Sequence, residues 1–119
     1  MPERRDAGPL RLKPIELHVL LALVDRDVHG YALVKQLEAR MPERGRILPG
    51  ALYRTLHRME GLGLIEESDW RPDPTLDDDR RRYFRVTERG IAAARAEAER
   101  LEALVAESRR KNLLPSRRS

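Results

Sequence analysis

Apolar and polar positions divide this chain into segments whose period changes along its length. Ile15 to Val24 is apolar around most of a helical circumference, and Pro14 stands just before it. Proline suits the first turn of a helix, where its missing N–H has no partner to lose. A helix apolar nearly all round is covered on more than one side. In a chain of 119 residues, a partner subunit is the simplest second cover. Tyr31, Val34, Leu37 and Met41 then recur at three- and four-residue spacing. They predict a second helix from about Gly30 to Met41, with Asp27 as its candidate cap and Pro42 to Gly45 as its end. A short extended piece, Arg46 to Leu48, follows. Pro49 starts a third helix with Leu52, Leu56 and Met59 on one side. Gly61 and Gly63 stop it, Gly63 as the left-handed residue.

Beyond Gly63 the period shortens. Leu64 to Trp70 reads as extended, and Arg71 to Asp79 as a polar, proline-broken tip. Arg82 to Thr87 alternates, with Phe84 and Val86 on one face and Tyr83 and Arg85 on the other. Thr87 is a suitable N-cap for a last helix, about Glu88 to Lys111. In that helix Ile91, Ala94, Ala98, Leu101, Val105 and Ser108 follow a 3-4-3-4-3 spacing, and Leu104 widens the seam. Such an a/d seam predicts pairing with another helix. The chain's own first helix and a partner's are both candidates, and both contacts are expected. The fold class is therefore mostly α with a small β hairpin: a winged helix-turn-helix domain plus a long C-terminal dimerisation helix. The divisions are a flexible basic arm (1–13), the winged domain (14–87), the dimerisation helix (88–111) and a disordered basic tail (112–119).

Composition adds limits to this plan. No cysteine is present, which removes disulfides, thiolate zinc sites and cysteine nucleophiles. The longest apolar run, Val19 to Val24, is far short of the roughly 20 residues of a membrane helix. No apolar segment follows the N-terminal arginines as in a secretory signal, so a cytoplasmic protein is expected. Charged residues make up 37% of the chain, with 24 basic and 20 acidic side chains, for a net charge of +4. Lysine supplies only Lys13, Lys35 and Lys111; the other basic residues are arginines. Arginine is the planar cation suited to phosphates and guanine edges, but so small a net charge says little until the arginines are placed. His18 and His29 lack partners at metal-ligand spacing and read as structural. Asp77 to Asp79 lacks a rigid ligand set for a cation. With no nucleophile triad, phosphate loop or carboxylate pair, no enzyme activity, metal or cofactor is expected.

Placement favours nucleic acid. With Leu52 at zero on a 100° wheel, Leu56 and Met59 lie within about 40° of it. Gly50, Arg54, His57, Arg58 and Gly61 fall opposite, and Tyr53 sits on the shoulder. That outward face has no acidic residue, whereas a merely solvated face would mix glutamate with arginine. The hairpin adds Arg80, Arg81 and Arg82 after Asp77 to Asp79. These two runs either neutralise each other or place arginines against DNA phosphates, and strand alternation lets at most two arginines serve one surface. The expected DNA-binding set is Gly50, Tyr53, Arg54, His57, Arg58, Arg80 and Arg81. The expected dimer interface is Leu17, Leu20, Ile91, Ala94, Ala98, Leu101 and Val105. The competing reading is a winged-helix protein-interaction adaptor without specific DNA binding.

Four segments also carry a resemblance: His29-Gly-Tyr-Ala-Leu-Val-Lys-Gln-Leu37, Leu48-Pro-Gly-Ala-Leu-Tyr-Arg-Thr-Leu56, Met59-Glu-Gly-Leu-Gly-Leu-Ile-Glu66 and Arg80-Arg-Arg-Tyr-Phe-Arg-Val-Thr-Glu-Arg-Gly90. In order and spacing, over about residues 14–110, the chain resembles the PadR family of bacterial transcriptional regulators in its short form. The resemblance implies a winged-helix homodimer on a pseudo-palindromic operator, usually a repressor, with Tyr53 and the wing arginines touching DNA. A small-molecule effector is a further candidate partner. A cleft between subunits would be lined by Val19, Leu20, Leu101 and Val105, with His18 as a polar contact. Ala51 stands where the family often has a hydroxyl residue. The last helix lacks an aromatic residue, and the only tryptophan is Trp70, which argues against an aromatic sandwich at the dimer centre.

Overall fold

Four proline- or side-chain-started helices and three short strands make up the fold, seen in a computed structural model that describes residues 10–69 and 82–115. Helix α1 (Pro14–Asp25) begins behind Lys13, whose backbone N–H donates to Glu16 Oε1 at 2.8 Å. Strand β1 (Val28–His29) leads directly into α2 (Gly30–Arg40). The cap of α2 is His29, not Asp27: His29 Nδ1 accepts from the Ala32 backbone N–H at 3.0 Å. Asp27 instead accepts from Ser68 Oγ at 2.5 Å, fixing the end of the hairpin strand to the α1–α2 connection.

A 3-10 turn (Pro42–Arg44) closes α2, and α3 (Pro49–Gly61) follows. Gly63 takes φ +78, as its place after the helix requires. Strand β2 (Ile65–Ser68) and strand β3 (Tyr83–Val86) pair antiparallel, with Ile65 opposite Val86 and Ser68 opposite Tyr83. Strand β1 adds to the other edge of β3, Val28 opposite Phe84, so the sheet order is β1-β3-β2. The sheet therefore has a third strand beyond the expected hairpin. Tyr83 departs from the expected alternation. It is buried as well as Phe84, because the His29 ring from β1 meets it edge-on at 5.1 Å. Helix α4 (Glu88–Arg110) is capped by Thr87, whose Oγ1 accepts from Gly90 N–H at 3.0 Å and donates to the Gly63 carbonyl at 2.6 Å.

The core lies among α1, α2, α3, the sheet and the start of α4. Leu20, Leu33, Leu37, Leu52, Leu56, Met59, Leu64, Ile65 and Phe84 fill it. Leu20 is 0% exposed and Val19 equally so, which corrects two expectations. Leu20 belongs to the chain's own core and not to a dimer surface, and neither residue can line a cleft between subunits. The outward stripe of α1 is Leu17, half-buried, with Leu21 and Val24, which are exposed. Ala94 is also buried within its own chain, against the expectation that it faces a partner. On α4, Ile91, Ala98, Leu101, Leu104 and Val105 remain exposed.

Candidate nucleic-acid interface

Helix α3 is held by Leu52, Leu56 and Met59, all buried, and this fixes which side chains point away. Gly50, Arg54, His57, Arg58 and Gly61 are exposed and Tyr53 is half-buried, in the arrangement expected from the sequence. Arg54 and His57 have no hydrogen-bond or ion-pair partner among the described residues.

Tyr53 has a second neighbour. A Cβ on Gly30 would lie 2.4 Å from the Tyr53 hydroxyl, so only glycine at the start of α2 admits the ring there. Tyr53 therefore ties α3 to the first residue of α2 as well as standing at the edge of the outward face.

Arg58 differs from its neighbours. Its Nη1 donates to Glu16 Oε2, and Glu16 is 1% exposed while the Arg58 side chain is 43% exposed. The side of α3 opposite its buried stripe has no acid of its own, Glu60 standing on the Tyr53 shoulder, but α1 supplies one from 42 residues away in sequence. A carboxylate buried this deeply needs a cationic or hydrogen-bonding partner. Arg58 is thus committed to the α1–α3 junction. Sequence reasoning placed it correctly on the helix wheel and missed Glu16, since a wheel sees only one helix.

The hairpin root is neutralised across its strands. Arg82 Nη2 donates to Glu67 Oε1 at 2.8 Å, and its guanidinium stands 5.5 Å from the Phe84 ring centre. Arg85 Nε donates to Glu66 Oε2 at 2.8 Å, from the position directly opposite in the ladder. The hydrogen bond to Glu67 raises the Arg82 pKa, and that to Glu66 raises the Arg85 pKa. Both arginines are committed to cross-strand pairs. Arg80, Arg81, Trp70 and Asp77 to Asp79 lie outside the described residues.

The two remaining histidine candidates lie within the described residues. His29 caps α2, a structural role as expected. His18 Nδ1 is buried without a hydrogen-bond partner among the described residues. Among those residues no group of three His, Cys, Asp or Glu side chains could hold a metal ion. No helix there is long and apolar enough to cross a membrane.

A three-helix core, a sheet with a winged hairpin and an open polar face on the third helix define a winged-helix transcription regulator. Residues 19–96 match the Transcriptional regulator PadR-like family, and the chain belongs to it. Regulators of this family act on DNA and are not enzymes. A curated relative, Transcriptional regulator Rv3488 of Mycobacterium tuberculosis, is 38% identical over 93 residues, covering 78% of this chain and 80% of that protein. Among solved structures, a PadR family transcription regulator from Clostridium difficile superposes with a TM-score of 0.64 at 22% identity. It covers 82% of this chain and 97% of its own. A transcriptional regulator from Clostridium thermocellum gives 0.63 at 26% identity, covering 82% and 87%. A variant of ZitR from Lactococcus lactis, solved in complex with DNA, shares the fold with a TM-score of 0.58 at 18% identity, covering 96% and 69%.

Proposed function

We propose that this regulator represses transcription by binding, as a homodimer, a pseudo-palindromic operator that α3 enters through the major groove. The supporting observation is the outward face of α3, where Arg54 and His57 are exposed and unpaired among the described residues and no acidic residue stands between them. In winged and helix-turn-helix proteins the second helix of the pair carries its exposed residues to base edges. Gly50, Tyr53, Arg54 and His57 form that reading surface here. Arg58 positions α3 through Glu16, and its exposed part is available to a phosphate. Arg80 and Arg81 are the wing candidates for phosphate contacts.

The dimer is formed by Leu17, Leu21 and Val24 of α1 with Ile91, Ala98, Leu101 and Val105 of α4, surfaces that one chain leaves in water. A two-fold axis through these helices sets the spacing of the two α3 helices, which must be about 34–36 Å to meet one face of B-DNA. A ligand that prefers a different crossing of these helices would release DNA in proportion to its differential affinity.

The test is selection of duplex DNA from a randomised pool by the full chain, followed by titration at fixed salt. A palindromic consensus, bound by two chains, is the expected result. Binding with the same affinity to all duplexes would overturn sequence-specific regulation and favour the adaptor reading.

A further inference from the structure

Helix α3 starts in an unusual way. Its N-cap is Leu48, and no side-chain hydrogen bond caps the helix there. Serine, threonine, aspartate or asparagine at that position would satisfy a free backbone N–H and stabilise the helix. The Leu48 side chain is 69% exposed, so it is not held there by burial. The three residues that follow, Pro49, Gly50 and Ala51, are also exposed and bring no polar side-chain atom. Packing does not require glycine at position 50. A Cβ there would meet only Arg54 Nη1, at 3.8 Å, an ordinary contact. Glycine weakens a helix relative to alanine. The first turn therefore forgoes stabilisation twice, at Leu48 and at Gly50, with no return inside the fold.

A single exposed leucine is common on protein surfaces. This one stands at the N-terminal tip of the helix whose first residues meet base edges in helix-turn-helix proteins. Exposed Arg46 and Arg54 flank it in sequence. The tip offers a bulky apolar group, a bare backbone and no side-chain donor. In the major groove, the apolar group that distinguishes one base pair from another is the 5-methyl of thymine. Resting on the operator-binding reading above, we infer that the first turn of α3 recognises thymine methyl groups. Leu48 makes the contact and Gly50 lets the backbone come close. Arg54 and His57, one and two turns further on, read polar edges or phosphates. The half-site is thus T-rich where the tip of α3 lies.

Uracil tests this directly, because it pairs with adenine as thymine does and lacks only the 5-methyl. The selected operator is rebuilt with uracil at one thymine position at a time. Affinity is measured by fluorescence anisotropy at fixed salt with the full-length protein. One or two positions per half-site should each cost the wild type about fourfold, the factor for one buried methyl group, and about fifteenfold when both half-sites are changed. For Leu48→Ser the thymine-to-uracil ratio at those positions should fall to about one. That variant should melt no lower than the wild type, since serine supplies the missing cap. Leu48→Ala, which adds no polar atom, should also lose most of the discrimination. Equal affinity of the wild type for every uracil operator would overturn the inference, as would a full fourfold penalty retained by Leu48→Ser. Tight, sequence-selective binding without a methyl effect would remove this inference and leave the operator-binding reading standing. Failure to bind any duplex would remove both.

Discussion

Arg54 and Arg58 are four residues apart on one helix and do different work. Arg54 has no hydrogen-bond or ion-pair partner among the described residues, so its replacement breaks no polar contact there. Arg54→Ala should leave the urea midpoint nearly unchanged and weaken operator binding by about 1–3 kcal/mol if the side chain reads a base edge. Arg58→Ala leaves a carboxylate that is 1% exposed with the Lys13 backbone N–H as its remaining donor and no cation beside it. It should destabilise the protein by about 1.5–3 kcal/mol, the usual range for a lost hydrogen bond to a charged group. Urea denaturation and anisotropy on both variants separate the roles. A stable Arg58→Ala protein would mean that Glu16 finds another partner. Swapping Arg58 for lysine should recover only part of the loss, since a compact ammonium cannot reproduce the guanidinium fork.

At the scale of the elements, α4 carries an acid inside its packed stripe. Glu97 is buried on the side shared with Ala94, and Arg100 Nε donates to its Oε1 at 3.1 Å. This hydrogen bond lowers the Glu97 pKa from its ordinary 4.5. A carboxyl whose folded pKa lies below its unfolded value stabilises the fold above about pH 4.5, and the contribution is lost as pH falls through the folded value. Melting temperatures from pH 7 to pH 3 should therefore show wild type above Glu97→Gln at neutral pH, with the gap closing in acid. A gap that widens in acid would reverse the assignment. The helices themselves were legible because their starts and stops are local: Pro14, Pro49 and Thr87 begin them, and Gly63 follows one. Strand β1 was not, because Val28 and His29 are too few to show an alternation. Asp27 was a reasonable cap by residue type, but Ser68, 41 residues away, competes for its carboxylate. The outward face of α3 was legible from its period. The pairing of Arg58 with Glu16 was not, since it joins two helices whose relative placement no single-helix pattern contains.

For the whole molecule, the apolar circumference of α1 announced two covers but could not say which side each faced. Leu20 is 0% exposed and Leu21 is 42% exposed, and that one-residue difference separates the core from the surface assigned to the proposed dimer. Leu20→Arg should leave no folded protein. Leu21→Arg should give a folded chain that sediments as a monomer and binds operator poorly, because one α3 alone spans one half-site. A dimeric Leu21→Arg at micromolar concentration would move the interface elsewhere. The same logic reaches the far half of α4. From Leu101 to Ala106 every residue of the helix is exposed in the single chain. Its backbone is held there by little beyond its own hydrogen bonds, and short unsupported helices are marginal in water. Amide protons of residues 101–106 should therefore exchange within seconds in dilute protein and slow by orders of magnitude as concentration rises. Those of α3 should exchange alike at both concentrations. In the proposed dimer, completion of the last helix is a bimolecular event, and a newly synthesised chain would finish folding only on meeting a second copy.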